Sequence, residues 1–306
     1  MEYVLTTNKL TKKYGHVAAA KDIDINIKRG EIYGLIGRNG AGKTTIMRML
    51  SGLSTPTSGS YTLFGKEGKD VRGEMHKVGV LIEAPGIYPN MSAFDNLKIK
   101  CIGLGVYKPD YVKDLLELVG LSETGKKKSG AFSLGMRQRL GIALALAGDP
   151  ELIILDEPIN GLDPQGIVEI RNTLAKLRDE RKITIMISSH ILEELGKLAD
   201  SYGIINDGLL IDEFTKEDLH MKSGKNTYIV TDSNEKALSL IKASGITDAS
   251  LVNEGSKIHI SDELSREKNI VKLLVNNDIF VKEVVSEEFS LEDYFLRVTG
   301  GGKDNV

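Results

Sequence analysis

The sequence predicts an α/β domain on a parallel sheet, with a helical subdomain inserted into it and a smaller α+β domain after it. Three observations carry this. Short apolar runs bounded by polar turns, Glu31 to Ile36, Leu152 to Leu155 and Ile183 to Ile187, read as strands buried on both faces. A helical apolar pattern lies between the second and third, so strand, helix and strand follow in order. Near Thr215 the composition turns polar, and a different rhythm of short strands and helices begins.

Taken in order, Glu31-Ile32-Tyr33-Gly34-Leu35-Ile36 runs into a glycine-rich loop. Ile46, Met47, Met49 and Leu50 give the next helix its apolar side. Val78 to Ile82 is a strand. Residues 92 to 148 are mostly helical, in the spans Ser92 to Gly103, Asp110 to Gly120 and Leu134 to Gly148, and form the inserted subdomain. Leu152 to Leu155 stands between Pro150 and the charged pair Asp156-Glu157. Pro164 to Arg181 repeats Ile167, Ile170, Leu174 and Leu177 at helical spacing, with Pro164 suited to a first helical turn.

After a polar linker expected over 216–224, Asn226 to Thr231 reads as strand and Asn234 to Ala243 as helix. Ala249 to Val252 and Lys257 to Ser261 read as strands, Leu264 to Leu274 as helix, and Ile279 to Val285 as strand. The order βαββαβ is the split arrangement of a ferredoxin-like fold. Ser290 and Asp293 stand at capping-box spacing before a closing helix, and the glycine-rich tail 300–306 is expected to be disordered. The domains are therefore 1–215, with its helical subdomain at about 92–148, and 225–299.

The composition suits this plan. Of 306 residues, 41% are hydrophobic and 27% charged, as in a globular chain with a real core. A net charge of −3 gives no electrostatic reason to expect nucleic acid as a partner. Cys101, the one cysteine, excludes an intrachain disulfide and points to a reducing compartment. The first residues, Met1-Glu2-Tyr3-Val4-Leu5-Thr6, do not read as a signal peptide. No apolar run nears the ~20 residues that span a bilayer, so work at a membrane would need another chain to cross it.

The glycine-rich loop carries the first chemistry. Gly37-Arg38-Asn39-Gly40-Ala41-Gly42-Lys43-Thr44 matches GxxxxGK[ST] between a strand and a helix. Glycines let the backbone N–H groups of such a loop turn toward phosphate oxygens, and the helix start adds its positive end. Lys43 would reach the β- and γ-phosphates of ATP, Thr44 would offer a hydroxyl to Mg²⁺, and Thr45 would bond the α-phosphate. The bland alternative is a glycine-rich turn with an incidental lysine.

Asp156 ends a strand, where it can hold Mg²⁺ directly or through water. Glu157 follows it, placed to polarise an attacking water as general base. His190 follows the strand Ile183 to Ile187 through Ser188-Ser189. Parallel strands end on the side where ligands bind, so His190 can reach the γ-phosphate. Solvated carboxylates and a structural histidine are the alternatives for each taken alone.

In this order the pieces resemble the nucleotide-binding domain of ABC transporters over roughly residues 1–215, a P-loop NTPase core. Phe132-Ser133-Leu134-Gly135-Met136, before Arg137-Gln138-Arg139-Leu140, looks like the family's LSGGQ signature, an element other phosphate-loop ATPases lack. Leu134 replaces its first glycine and Met136 its glutamine. Ser133 and Gly135 open a helix and so form a second anion-binding end. The resemblance implies that this end addresses the ATP of an opposite subunit, in a head-to-tail dimer with two ATP molecules between the subunits. A plain serine N-cap is the alternative.

The resemblance implies further roles. Tyr14 matches the aromatic that stacks on adenine, although a surface tyrosine is a common alternative. Asp163, in Asn160-Gly161-Leu162-Asp163, matches the D-loop at the subunit interface, and His190 the switch histidine. Glu83 stands where the family usually has a glutamine that meets Mg²⁺ and the permease. A carboxylate there can ligate Mg²⁺ but adds negative charge near the γ-phosphate. With the altered signature, it is similar to the ATPases of bacitracin-resistance and lantibiotic-immunity exporters. The expected protein is a cytoplasmic ATPase, peripheral on the inner membrane face. It would power a separate transmembrane permease and pair with a second ATPase subunit, giving a homodimer. A soluble ABC ATPase of translation or DNA repair is the alternative, but no tandem ATPase domain, coiled coil, zinc module or basic arm is visible in the sequence.

Overall fold

A computed structural model describes residues 2–223, 225–253, 255–260, 270–288 and 290–300. Contacts divide the chain into two units, Met1–Lys216 and Glu217–Val306.

The first unit begins with β1 (Tyr3–Tyr14), β2 (Val17–Ile23) and β3 (Asn26–Lys28). β4 (Ile32–Ile36) and α1 (Lys43–Leu50) flank the phosphate loop. β5 (Ser58–Leu63), β6 (Lys66–Glu67), the short α2 (Val71–Glu74) and β7 (Val78–Leu81) follow. The inserted helices are α3 (Ala93–Gly103), α4 (Pro109–Leu118) and α5 (Leu134–Leu146). The chain then returns through β8 (Leu152–Asp156), α6 (Pro164–Arg181), β9 (Thr184–Ser189), α7 (Leu192–Leu198), β10 (Ser201–Asn206) and β11 (Leu209–Thr215).

The main sheet has the order β11-β10-β4-β9-β8-β7. Every pair from β10 to β7 is parallel, and β11 closes the edge antiparallel. All residues of β4, β8 and β9 are buried, which accounts for their continuous apolar runs. α6 spans the predicted residues: Pro164 takes the first turn, Asp163 caps it, and Arg178 and Arg181 lie in the last turn beside the carbonyl end of the dipole.

A second sheet, β2-β1-β5-β6 with β3 on β1, is antiparallel. No sequence pattern announces it. Its strands are half exposed, and register shifts between Asn8 and Thr11, with Lys9 at φ 47°, break the period-two alternation. α1 touches β2 of this sheet and β8 of the main one. Its Ile46, Met47, Met49 and Leu50 are fully buried in a core shared with Leu5, Leu63, Leu152, Ile154 and Met186. Each such side chain contributes about 1.5–3 kcal/mol of burial, so the helix behind the phosphate loop is clamped on both sides. Glu213 adds a polar tie. It accepts hydrogen bonds from the Asn26 backbone (2.8 Å), the Asn26 amide (3.0 Å) and the buried Tyr33 hydroxyl (3.0 Å). Burial, then the Glu213 charge, pushes the Tyr33 phenol well above its usual range.

The second unit contains β12 (Lys225–Thr231), β13 (Ala249–Val252), β14 (Lys257–Ile260) and β15 (Val281–Glu288). Their order is β13-β14-β12-β15, all antiparallel, with helices Asn234–Ala243 and Ile270–Val275 between strands. That is the strand order of the ferredoxin-like plan. Ile229, Ala237, Ile241, Ile258, Ile260 and Leu274 form its core. In the closing helix Leu291–Val298, both capping-box bonds between Ser290 and Asp293 are made. The stretch expected as a polar linker contains a helix, α8 (Lys216–Ser223), whose first turn carries Glu217 and Asp218, favourable at a helix N-terminus. Gly224, the expected helical residues 264–269, Ser261 and the tail 301–306 lie outside the described residues.

Candidate functional site

Strand register sets the site. Leu35 of β4 pairs with Ser188 of β9, and Ser188 with Asp156 of β8. Three carboxyl ends of parallel strands thus stand side by side, where ligands bind in open α/β sheets.

The phosphate loop curls between β4 and α1. Gly42 has φ 109°, and a Cβ there would meet the Ala19 carbonyl. A Cβ on Gly37 would lie 2.6 Å from the Ile205 carbonyl oxygen. Both positions require glycine. The tip, Arg38-Asn39-Gly40, is exposed, and Ala41 folds back through its N–H to the Arg38 carbonyl (3.1 Å). Lys43 is only 5% exposed. Its Nζ donates to the carbonyls of Gly37 (2.6 Å) and Arg38 (3.3 Å). Thr45, in the first turn of α1, makes no side-chain hydrogen bond among the described residues.

The carboxylates converge on this loop. Thr44 Oγ1 donates to Asp156 Oδ2 (2.7 Å), and Ser188 Oγ to Asp156 Oδ1 (2.6 Å). Glu157 Oε1 lies 3.2 Å from Lys43 Nζ, and its Oε2 is 2.8 Å from His190 Nδ1. The Oε1 contact is an ion pair without hydrogen-bond geometry, for this buried oxygen accepts no hydrogen bond among the described residues. Because a carboxylate only accepts, the proton lies on His190 Nδ1. Glu157 sits at φ 49°, a left-handed conformation that costs roughly 1–3 kcal/mol without glycine. The Glu157 carboxylate thus lies between Lys43 and His190.

The outer residues fall as follows. Tyr14 is 50% exposed on the β1–β2 turn, with Lys12 Nζ 5.2 Å over its ring; Ala19 of the same β2 touches the loop at Gly42. Ser133 is exposed and caps α5 through Met136 N (3.2 Å). Among the described residues it makes no bond to the phosphate loop of its own chain. Asp163 caps α6 through Gly166 N (3.1 Å). Gly135 and Gly161 approach one another's segments, facing Leu162 and Leu134, so the 133–135 and 160–163 turns pack together.

Among the described residues no hydrogen bond joins Glu83 to Thr44 or Asp156. It pairs with Arg48 of α1 at 2.5 Å and stands at φ 64°. Sequence reasoning missed Arg48 in this role and Ser188 altogether. Both lie far from their partners in the chain, and neither belongs to a spaced motif.

A family model described as ABC transporter matches residues 20–160. The bacitracin transport ATP-binding protein BcrA of Bacillus licheniformis is 43% identical over 306 residues, which span 99% of each chain. The chain belongs to the ABC transporter ATP-binding family. The lantibiotic transport ATP-binding protein SrtF of Streptococcus pyogenes is 47% identical over 68% of this chain and 89% of its own. The structure of cbiO1 from Clostridium perfringens, part of the ABC transporter complex cbiONQ, matches with a TM-score of 0.66 at 26% identity, over 72% of this chain and 92% of that one.

As an ABC subunit the protein binds and hydrolyses ATP, uses Mg²⁺, and powers a membrane permease carried on another chain. A place in translation or DNA repair has no support among these relatives. No helix among the described residues is long and apolar enough to cross a membrane. The donor set fits Mg²⁺. A hydroxyl and a carboxylate face one another at 2.7 Å, and no group of three or more His, Cys, Asp or Glu clusters among the described residues. Hard oxygen donors of this kind, few in number, suit an ion that keeps waters and takes phosphate oxygens.

Proposed function

We propose that this chain is the motor of an exporter for peptide antibiotics or similar amphiphiles, acting as a homodimer on the inner face of the cell membrane. One observation carries the reading. The match to the bacitracin transport subunit runs over 99% of both chains, so it includes the C-terminal unit as well as the ATPase. The lantibiotic transport relative points the same way.

In this reading, backbone amides from Gly37 to Gly42, Asn39, Gly40 and Ala41 among them, cradle the phosphates. Lys43 neutralises the β- and γ-phosphates, Thr45 bonds the α-phosphate, and Tyr14 stacks on adenine. Thr44 and Asp156 would hold Mg²⁺, with Glu83 a further ligand when not paired with Arg48, and the ion would supply charge shielding to the phosphates. Glu157 orients and deprotonates the attacking water, and His190 holds the γ-phosphate in line. Catalysis is positioning plus charge stabilisation of phosphoryl transfer to water. Ser133 and Gly135 grip the ATP of the partner subunit, with Asp163 at the shared interface.

Force passes to the permease through the Glu83 loop and helical subdomain. Tyr88 is 55% exposed there, at the edge of a cleft of about 300 Å³ lined also by Leu81, Pro85, Asn96, Ile99 and Lys100. Apolar side chains with a few polar groups at the rim suit a helix of the permease.

Deleting the gene from its host and measuring growth in cyclic and lanthionine-containing peptide antibiotics tests the export reading. The deletion is expected to lower the inhibitory concentration of at least one of them severalfold, and the tagged protein to co-purify from membranes with a multi-span protein. Unchanged sensitivity to all of them, with no membrane partner recovered, would count against it.

A further inference from the structure

We infer that Ser188 is the positioning residue for both carboxylates of the site. It rests on the roles proposed above for Asp156 and Glu157, and its own part is a single hydroxyl used in two directions. Ser188 Oγ donates to Asp156 Oδ1 at 2.6 Å and accepts from the Glu157 backbone N–H at 2.9 Å. The side chain is fully buried, so no bulk water competes for either bond.

Each bond fixes something the reaction needs. Asp156 is held at Oδ1 by Ser188 and at Oδ2 by Thr44. Gripping one oxygen fixes the carboxylate plane and turns the other toward the Thr44 hydroxyl. Glu157 leaves the strand at φ 49°, which a residue with a side chain seldom adopts. The Ser188 oxygen anchors the N–H at that turn, and the turn aims the Glu157 side chain between Lys43 and His190. Strand pairing makes this possible, because Ser188 stands opposite Asp156 in the β8–β9 register. Ser188 touches no phosphate in this scheme and acts only through its neighbours.

The test compares wild type with Ser188→Ala and Ser188→Cys in the full chain. Three quantities are measured: kcat, KM for ATP, and the Mg²⁺ dependence of binding a fluorescent ATP analogue. Removing both bonds is expected to lower kcat by about 10–100-fold, the effect of leaving a buried N–H and a carboxylate oxygen unpaired. KM is expected to stay within about 3-fold, and the Mg²⁺ midpoint of analogue binding to rise severalfold, while binding in chelator is unchanged. Cysteine, a weak donor and acceptor, is expected to fall between serine and alanine. It also carries the test if alanine does not fold. A kcat within about 2-fold of wild type for Ser188→Ala, or an unmoved Mg²⁺ midpoint in both variants, overturns the role. Glu157→Gln in the same assay separates the two levels. Wild-type turnover in Glu157→Gln would sink the roles given to the carboxylates, whereas a silent Ser188→Ala beside an inactive Glu157→Gln would sink only the Ser188 inference.

Discussion

Replacing Glu157 by glutamine is expected to lower steady-state ATP hydrolysis by about 10²–10⁴-fold, the usual contribution of a positioned general base. Glutamine keeps the shape and can still meet His190, but it takes no proton from water. It also removes the negative charge that lies 3.2 Å from Lys43 Nζ and competes with phosphate for it. ATP affinity is therefore expected to hold or to tighten. Phosphate release and calorimetric ATP binding, measured on the same preparation, read the two effects separately. Turnover near wild type would remove Glu157 from the chemistry.

Replacing Lys43 by alanine acts on the other side of the balance. Its ammonium is the buried cation of the phosphate loop, held by the Gly37 carbonyl at 2.6 Å. Without it, Glu157 Oε1 is left facing the phosphate position with no counter-charge, so lost attraction and added repulsion work together. Truncating one partner of a buried charge pair costs about 2–5 kcal/mol, so ATP affinity is expected to fall by at least about 30-fold. Calorimetry at fixed salt measures this, since screening would blunt any exposed contribution. An affinity within about 3-fold of wild type would contradict the assignment.

These two residues, and the fold that presents them, could be read from the sequence because their signals are local. β4, β8 and β9 are buried on both faces and so appear as uninterrupted apolar runs. Pro164 and Asp163 mark where α6 begins. In the second unit the described strands pair in the order β13-β14-β12-β15, while residues 261–269 lie outside the described residues. The antiparallel sheet of β1, β2, β3, β5 and β6 is hard to read because its strands alternate imperfectly, with a bulge near Lys9 and polar Thr7 and Thr11 at buried positions. Polarity over 216–224 marks a stretch between the two units, and acidic residues in its first turn also favour α8 there.

Within the site, residues in a motif were found and residues held by register were not. Ser188 lies 32 positions from Asp156, and only the pairing of β8 with β9 brings them together. Glu83 was assigned to Mg²⁺ by its place in the family pattern, while the structure gives its carboxylate to Arg48, 35 positions away. Motif spacing records the chemistry a position serves, but a side chain's partner depends on which strands and helices become neighbours.

The most direct check on the account is the mass of the Glu157→Gln protein in Mg²⁺-ATP, by size exclusion with light scattering, alone and combined with Ser133→Arg. Ser133 of one chain facing ATP on Lys43 of another predicts a particle of twice the 33.5 kDa of one chain, formed only with ATP and abolished by Ser133→Arg. A Glu157→Gln protein that binds ATP yet keeps the mass of a single chain, or a dimer indifferent to Ser133→Arg, would contradict it.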